Sequence, residues 1–366
     1  MKIVAVTSRS PWPPNRGDRM RLSGFLAELA SSHEVACCVA RLSSDDRAHL
    51  TAMGVEPVAA ETRLPSPSSF VRDPLQVAAF SRWRVPASLV READVVHLST
   101  VRAGAMVDDF SHAHLDYVDA LSRNTEQRAA STRPRAFWLR EARRLRTYEV
   151  ELGRRVRSSS CTSDDDRIAI GLPDIDVVPF GVRVPDDVPE PDGAPTILFP
   201  GNLGYFANID AAVWLATSIF PTLRRAVPNA HLVIAGARPS SEVRALGDLD
   251  GIEVHADVPS MTPFFGRSWV VAAPLRYGTG LQTKVLEGFA HRRAVVTTTA
   301  VAGRVPGAAV GVHLEAADDT PAIAALLAEL LGDRARRERL AAAGLGIARS
   351  LSWEACTRLL EAAYRR

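Results

Sequence analysis

The stretch WVVAAPLRYGTGLQTKVLEGFA, residues 269–290, decides how this chain is read. It opens as an apolar run of strand length, passes through Gly278-Thr279-Gly280 and takes helical spacing from about Leu281. Glycines at a strand-to-helix turn let the backbone approach an anion, and the helix N-terminus adds free N–H groups and a positive dipole end. Lys284 stands in the first turn, where its ammonium reaches the same anion as a point charge. Glu287 shares a face with Lys284 and Thr283, and a carboxylate there can accept hydrogen bonds from the vicinal hydroxyls of a ribose. The rival explanation is an i,i+3 ion pair on a surface helix behind a glycine turn. The combination of residues favours ligand binding over it. A dinucleotide fingerprint fits less well: Thr283 replaces the third small residue, and TTTAVAGR, about 20 residues on, holds no acid.

Outward from this stretch, apolar runs alternate with amphipathic ones along the whole chain. KIVAV, EVACCVA, DVVHLS, AHLDYV, SSSCTS and DVVPF read as buried strands before residue 182, and TILFPG, AHLVIAG, IEVHADV, WVVAAPL and AVVTTTA after it. Between the two sets lies RVPDDVPEPDGAP, proline-rich and acidic, as linkers are. The pattern predicts an α/β chain of two doubly wound domains: 1–182, a linker at 183–194, and 195–352. The cleft between two such domains is the default place for an active site. WEACTRLLEAAYRR reads as a terminal helix over 353–366.

The chain has 366 residues, 44 basic and 42 acidic, a formal charge of +2, which argues against a nucleic-acid binder. Only Lys2 and Lys284 are lysines, so a lysine at 284 stands out among arginines. No apolar run approaches the roughly 20 residues of a membrane helix, and MKIVAVTSR is too short for a secretory signal. Cys37, Cys38, Cys161 and Cys356 lack metal-ligand spacing and read as buried thiols of a cytoplasmic protein. The stretch 123–157 carries eleven arginines against four acids, with apolar positions at helical spacing. A solvated surface helix is the favoured reading. Contact with anionic lipid at the inner membrane face, or with a phosphate-bearing acceptor, is the second.

Three further loops carry candidates. In SRSPWPPNRGDRMR the prolines stiffen the chain, Gly17 opens a helix, and Arg16, Arg19 and Arg21 crowd that opening, facing the expected cleft; Asn15 or Asp18 also suits a helix cap. In AHLDYVDALS, Asp116 and Asp119 close a strand and are candidates for orienting or deprotonating a hydroxyl, with capping by Asp119 an equal alternative. Asp164-Asp165-Asp166 follows Ser163 as a capped helix start does, so no metal is expected there. His97, His112 and His114 suit core or surface roles better than catalysis.

Taken together, TILFPGNLGYFANIDAAVWL, APLRYGTGLQTKVLEGFAHRRAVVTT, PPNRGDRMR, LDYVDALS and VVPFGV resemble the retaining glycosyltransferases of family 4, which have the GT-B fold: two Rossmann-like domains facing across a cleft. The similarity is strongest to bacterial sugar transferases with PPN-x-GD-x-x-R and G-x-G-x-x-x-K-x-x-E motifs, and it spans nearly the whole chain. It implies a metal-independent hexosyltransferase with no cofactor beyond its nucleotide-diphosphate-sugar co-substrate. The acceptor would be a natural product, saccharide or lipid-linked glycan. The N-terminal domain, completed by 353–366, would hold the acceptor and the C-terminal domain the donor. Glu287 would bind the ribose, and Lys284 with the backbone of Gly278, Thr279, Gly280 and Leu281 the diphosphate. Thr283, Asn202, Arg238, Val258 and Gly17 would complete the donor site, Asn15, Arg16 and Arg19 the acceptor site, and Asp116 or Asp119 would lie near the reacting sugar. Two departures stand out. Thr279 occupies the position of an earlier glutamate, and GNLGYFAN offers Asn202, Tyr205 and Asn208 where an arginine and a lysine are common, with Arg276 as a compensating cation. The rival classes are a sugar-nucleotide epimerase of similar shape and a non-catalytic nucleotide- or membrane-binding protein.

Overall fold

A computed structural model describes residues 1–14, 16–64, 72–131, 133–191, 193–277 and 282–366. The chain divides into two compact units, Met1–Gly181 with Trp353–Arg366, and Val182–Ser352. The segment 183–194 counts with the second unit.

The first unit is built on strands β1 (Lys2–Thr7), β2 (Glu34–Val39), β3 (Glu56–Ala59), β6 (Val95–Ser99), β7 (Ala113–Asp116), β8 (Ser158–Cys161) and β9 (Ile175–Val177). They form one parallel sheet in the order β3-β2-β1-β6-β7-β8-β9, and a small antiparallel pair, β4 (Glu61–Thr62) with β5 (Trp83–Arg84), stands apart. Alternate residues feed two cores. Val4 and Val6 pack on one face, while Ile3 and Ala5 pack on the other with Leu22, Phe25 and Leu26 of helix α1 (Gly17–Leu29) and with Cys356, Leu360 and Tyr364 of the terminal helix Trp353–Tyr364. This two-sided burial explains why the strands read as continuous apolar runs. Strand β3 escaped the pattern because EPVA is acidic, short and broken by Pro57, which an edge strand tolerates. Helices α2 (Leu121–Ser131) and α3 (Arg135–Gly153) follow β7. All four cysteines are buried free thiols, as expected, and burial pushes the Cys38 thiol up to about 12.

The second unit has strands β10 (Thr196–Asn202), β11 (His231–Ala237), β12 (Ile252–Ala256), β13 (Val270–Ala273), β14 (Ala294–Thr297) and β15 (Glu315–Ala316). All are parallel, in the order β12-β11-β10-β13-β14-β15. Helix α4 (Phe206–Trp214) follows β10 and helix α5 (Thr283–Ala290) follows β13. One helical run, Phe206–Arg224, is 19 residues long with a mean hydropathy of 1.2, enough by length and composition to cross a membrane. The sequence reading passed over it. Its apolar residues Leu215, Ile219, Phe220 and Leu223 are spent in the unit's own core.

In each sheet the strand order reverses direction once, between β1 and β6 and between β10 and β13. Ligands of doubly wound sheets bind outside the carboxyl ends of the strands at that reversal. In this chain that places the candidates in the loops after β1, β6, β10 and β13.

Candidate functional site

In the second unit, β10 ends in Gly201-Asn202 and the chain turns into α4. Gly201 has φ 151°, and a Cβ there would stand 3.2 Å from the Asn208 amide nitrogen and 3.4 Å from Lys284 Cε. Glycine is required because its φ suits no other residue and two side chains converge on it. The Asn202 side chain accepts the Gly204 N–H at 3.2 Å, which fixes the turn, and its carbonyl accepts the Asn208 side-chain N–H at 2.8 Å. Asn208 is 6% exposed and Lys284 is 5% exposed. The Lys284 ammonium donates to Asn208 Oδ1 at 2.9 Å and to Gln282 Oε1 at 3.4 Å. Burial pulls the Lys284 pKa down to about 8, against the upward pull of Glu287. Burial likewise raises the carboxyl of Glu287, which Lys284 lowers. A buried ammonium fixed mainly by neutral amides retains unspent attraction for an anion.

The loops around this cluster are tied down. Thr297 Oγ1 donates to the Ala273 carbonyl at 2.7 Å and Thr298 Oγ1 to that of Leu275 at 2.8 Å, so the end of β13 is held from β14. Asp257 Oδ1 accepts the Arg238 N–H at 2.6 Å, with both residues at positive φ, 50° and 53°. Arg238 is exposed, directly after β11, and Val258 is half-buried, two residues after β12. Thr283 is half-buried at the start of α5.

Arg276 is paired in this structure. Its guanidinium grips Asp210 with both arms, Nε at 3.0 Å and Nη2 at 2.6 Å, and lies 4.9 Å from the Trp214 ring. The cation expected to compensate for the missing ones thus stands half-exposed in an ion pair with Asp210. Exposed Tyr205, Phe206 and Tyr277 form an aromatic cluster beside it, with ring centroids 4.8 and 6.5 Å apart. The sequence showed those rings but gave no sign that they meet. Gly278, Thr279, Gly280 and Leu281, and Asn15 in the first unit, lie outside the described residues.

In the first unit, Thr7, Ser8, Arg9, Asp18, Arg19, Leu22, Ser99 and Thr100 line a small polar hollow at the carboxyl ends of β1 and β6. Gly17 starts α1 in open space, and Arg16 is its exposed N-cap residue with no capping side-chain bond. Among the described residues Asp18 accepts only the N–H of Arg19, at 3.1 Å, and neither it nor Arg16 makes a capping bond there. Arg19 donates to the Trp12 carbonyl at 3.3 Å, and Arg9 faces Asp18 at 3.6 Å. Thr100 is buried at φ 67°, and its hydroxyl has no partner among the described residues.

Asp116 departs from the expectation. It is 1% exposed and bound to Arg21, itself wholly buried, with Nε at 2.7 Å and Nη2 at 3.2 Å. Ser160 and the Val118 N–H complete its shell. This carboxylate belongs to the core and cannot orient a substrate. Arg21, the last arginine of PPNRGDRMR, was expected at the helix opening facing the cleft, and it is instead buried as the partner of Asp116. Asp119 remains half-buried, held by Asn124 at 2.7 Å, and burial together with Asp166 lifts its pKa to about 6. It does not cap α2. There, the Ser122 N–H goes to Glu149 and the Ala120 N–H to Asp166. Ser163 accepts the Asp166 N–H at 3.2 Å, so the triple-aspartate stretch is a capped helix start. His97 and His114 are core residues, linked to Tyr364, Ser158 and Ser160.

Residues 194–333 match the family described as glycosyl transferases group 1. The match lies inside the second unit and takes in the whole cluster around Lys284. The expected class, a glycosyltransferase, agrees with it. Among solved structures, Anabaena HepE in complex with UDP and glucose aligns with a TM-score of 0.68 and 11% identity, over 99% of this chain and 98% of that one. Sucrose-phosphate synthase from Thermosynechococcus elongatus aligns at 0.66 and 13%, over 100% and 98%. WaaG, a glycosyltransferase involved in lipopolysaccharide biosynthesis, aligns at 0.62 and 12%, over 99% and 98%. These alignments run the length of the chain and give it the GT-B fold with two Rossmann-like domains. No curated protein matches the sequence.

Proposed function

We propose that the protein is a retaining, metal-independent glycosyltransferase that moves a sugar from a nucleotide-diphosphate sugar to an acceptor hydroxyl. One observation carries this reading: a buried lysine held by Asn208, itself bonded to the Asn202 carbonyl, with Glu287 one turn along α5, inside the segment that matches group 1 glycosyl transferases. The bond from the anomeric carbon to the diphosphate oxygen breaks as the acceptor oxygen bonds to that carbon on the same face. The acceptor proton passes to the departing phosphate oxygen. No protein nucleophile is needed. Charge grows on the diphosphate, and Lys284 stabilises it where it develops. Glu287 holds the ribose hydroxyls. In the first unit, Asp119, ionised above pH 6, orients the acceptor hydroxyl, and Arg16 and Arg19 bind the acceptor.

UDP-sugars are the first donors to test, because HepE is described with UDP and glucose. The decisive assay incubates donor with candidate acceptors and reads the anomeric configuration of the product by NMR. Retention supports the proposal; inversion refutes the stereochemistry, and epimerisation of donor alone supports the epimerase instead.

A second reading concerns where the enzyme works. Of the four acids in 123–157, Glu141 and Glu149 are turned inward, to the Leu75 and Ser122 N–H groups. The outer face of α3 keeps exposed Arg135, Arg140, Arg143 and Arg146 beside exposed Phe137. A cytoplasmic enzyme with this face would dock on anionic lipid, each arginine contributing about 1 kcal/mol near the surface. Sedimentation with phosphatidylglycerol vesicles, lost on changing these four arginines to glutamine, is the expected result. Equal sedimentation of both proteins contradicts it.

A further inference from the structure

We propose that Asn208 is the positioning residue of the donor site, holding the Lys284 ammonium against the carboxyl end of β10 so that its charge meets the diphosphate. The inference rests on the reading of Lys284 as the diphosphate ligand and adds how that ligand is placed.

The loop GNLGYFAN has no lysine or arginine. Its cation is brought in from α5, 76 positions along the chain. Asn208 can hold it in one orientation only. Its amide nitrogen donates to the Asn202 carbonyl at 2.8 Å, so its oxygen must face Lys284, which it meets at 2.9 Å. The Asn202 carbonyl is itself fixed at the strand end, where it also accepts the Tyr205 N–H at 3.2 Å. Both side chains pass close to Gly201, where a Cβ would stand 3.2 Å from the Asn208 amide nitrogen and 3.4 Å from Lys284 Cε. The chain of contacts therefore runs from β10 through Asn202 and Asn208 to the ammonium.

The charged groups near this pair are few. Glu287 acts on Lys284 from the same helix, and Asp210 on α4 is taken by Arg276. Asn208 supplies a neutral acceptor, which holds the ammonium without cancelling its charge. An aspartate there would bind it more strongly and compete with the phosphate. A leucine would leave it buried with a poorer shell.

Because Lys2 and Lys284 are the only lysines, 13Cε-lysine labelling of the full chain gives two side-chain signals, assigned with Lys2→Arg. The Lys284 signal is followed against pH with and without UDP in wild type, Asn208→Asp and Asn208→Leu. The midpoint should lie near 8 in wild type, rise by about one unit or more in Asn208→Asp, and fall in Asn208→Leu. UDP affinity should weaken on the order of tenfold in both variants. In turnover, the alkaline limb of the pH profile should move with the midpoint. A purely structural Asn208 would not produce opposite shifts. Identical midpoints and affinities in all three proteins overturn the proposal. If the variants shift the midpoint but UDP leaves the wild-type signal unmoved, Asn208 still positions Lys284, and the diphosphate assignment is what fails. Should Asn208→Leu not fold, Asn208→Asp decides alone.

Discussion

At the residue scale, the reading turns on Lys284 and on which neighbours remain free to act. Its pKa near 8 means that raising the pH through 8 discharges it. A diphosphate binds the charged form, so nucleotide affinity should fall above pH 8 and hold below it. Lys284→Ala should lower turnover by about 100-fold or more, as loss of one donor to a developing oxyanion does. Glu287→Ala should weaken nucleotide binding by roughly tenfold, the loss of a charged hydrogen bond to the ribose. Arg276→Ala should change either quantity far less, because Asp210 already takes its guanidinium. The sequence displayed Lys284, Glu287 and the glycines, since their spacing follows from a strand-to-helix turn. It could not display what occupies each group. Asp116 and Asp119 look alike in LDYVD, yet one meets Arg21, 95 positions away, and the other does not. Pairings across such distances leave no local signal.

At the element scale, Trp353 seats the start of the terminal helix, whose Cys356, Leu360 and Tyr364 pack further along it. Cβ atoms added at Gly24 and Gly181 would stand 2.4 Å from atoms of the Trp353 ring, so both glycines exist to admit it. Phe25 and Phe180 close on the same ring at 5.4 and 5.3 Å. Gly24→Ala should cost about 1–3 kcal/mol, read from the urea midpoint, through overpacking against a ring that cannot retreat. An unchanged midpoint would show that the helix yields instead. Most elements could be read from periodicity because buried parallel strands are apolar throughout. Strands β3 and β15 could not, being edge strands of four and two residues. The long apolar helix Phe206–Arg224 was missed for a different reason: its membrane-like composition belongs to a core helix that packs on several sides.

At the scale of the whole molecule, charge again says more by placement than by sum. The net charge of +2 conceals a first unit whose sheet carries a buried polar network of Arg21, Asp116, His97, His114 and Tyr364. Burial lowers the pKa of His97 to about 4 and of His114 to about 3, from 6.5. Both stay neutral in the fold while the unfolded chain takes up protons below 6.5. Stability is thus full above that pH and drains as pH falls towards 4 and then 3, by up to about 1.4 kcal/mol per unit for each histidine. The urea midpoint should be clearly lower at pH 5 than at pH 7. Two doubly wound units were legible as a pattern that ends in a proline-rich acidic stretch and begins again. The most direct test of the account is calorimetric titration of nucleoside diphosphates, UDP first, into wild type and Lys284→Ala at pH 7. The account predicts binding by wild type that weakens about 100-fold in the variant, with free nucleoside binding both alike. Equal affinity of the two proteins for every diphosphate would contradict it.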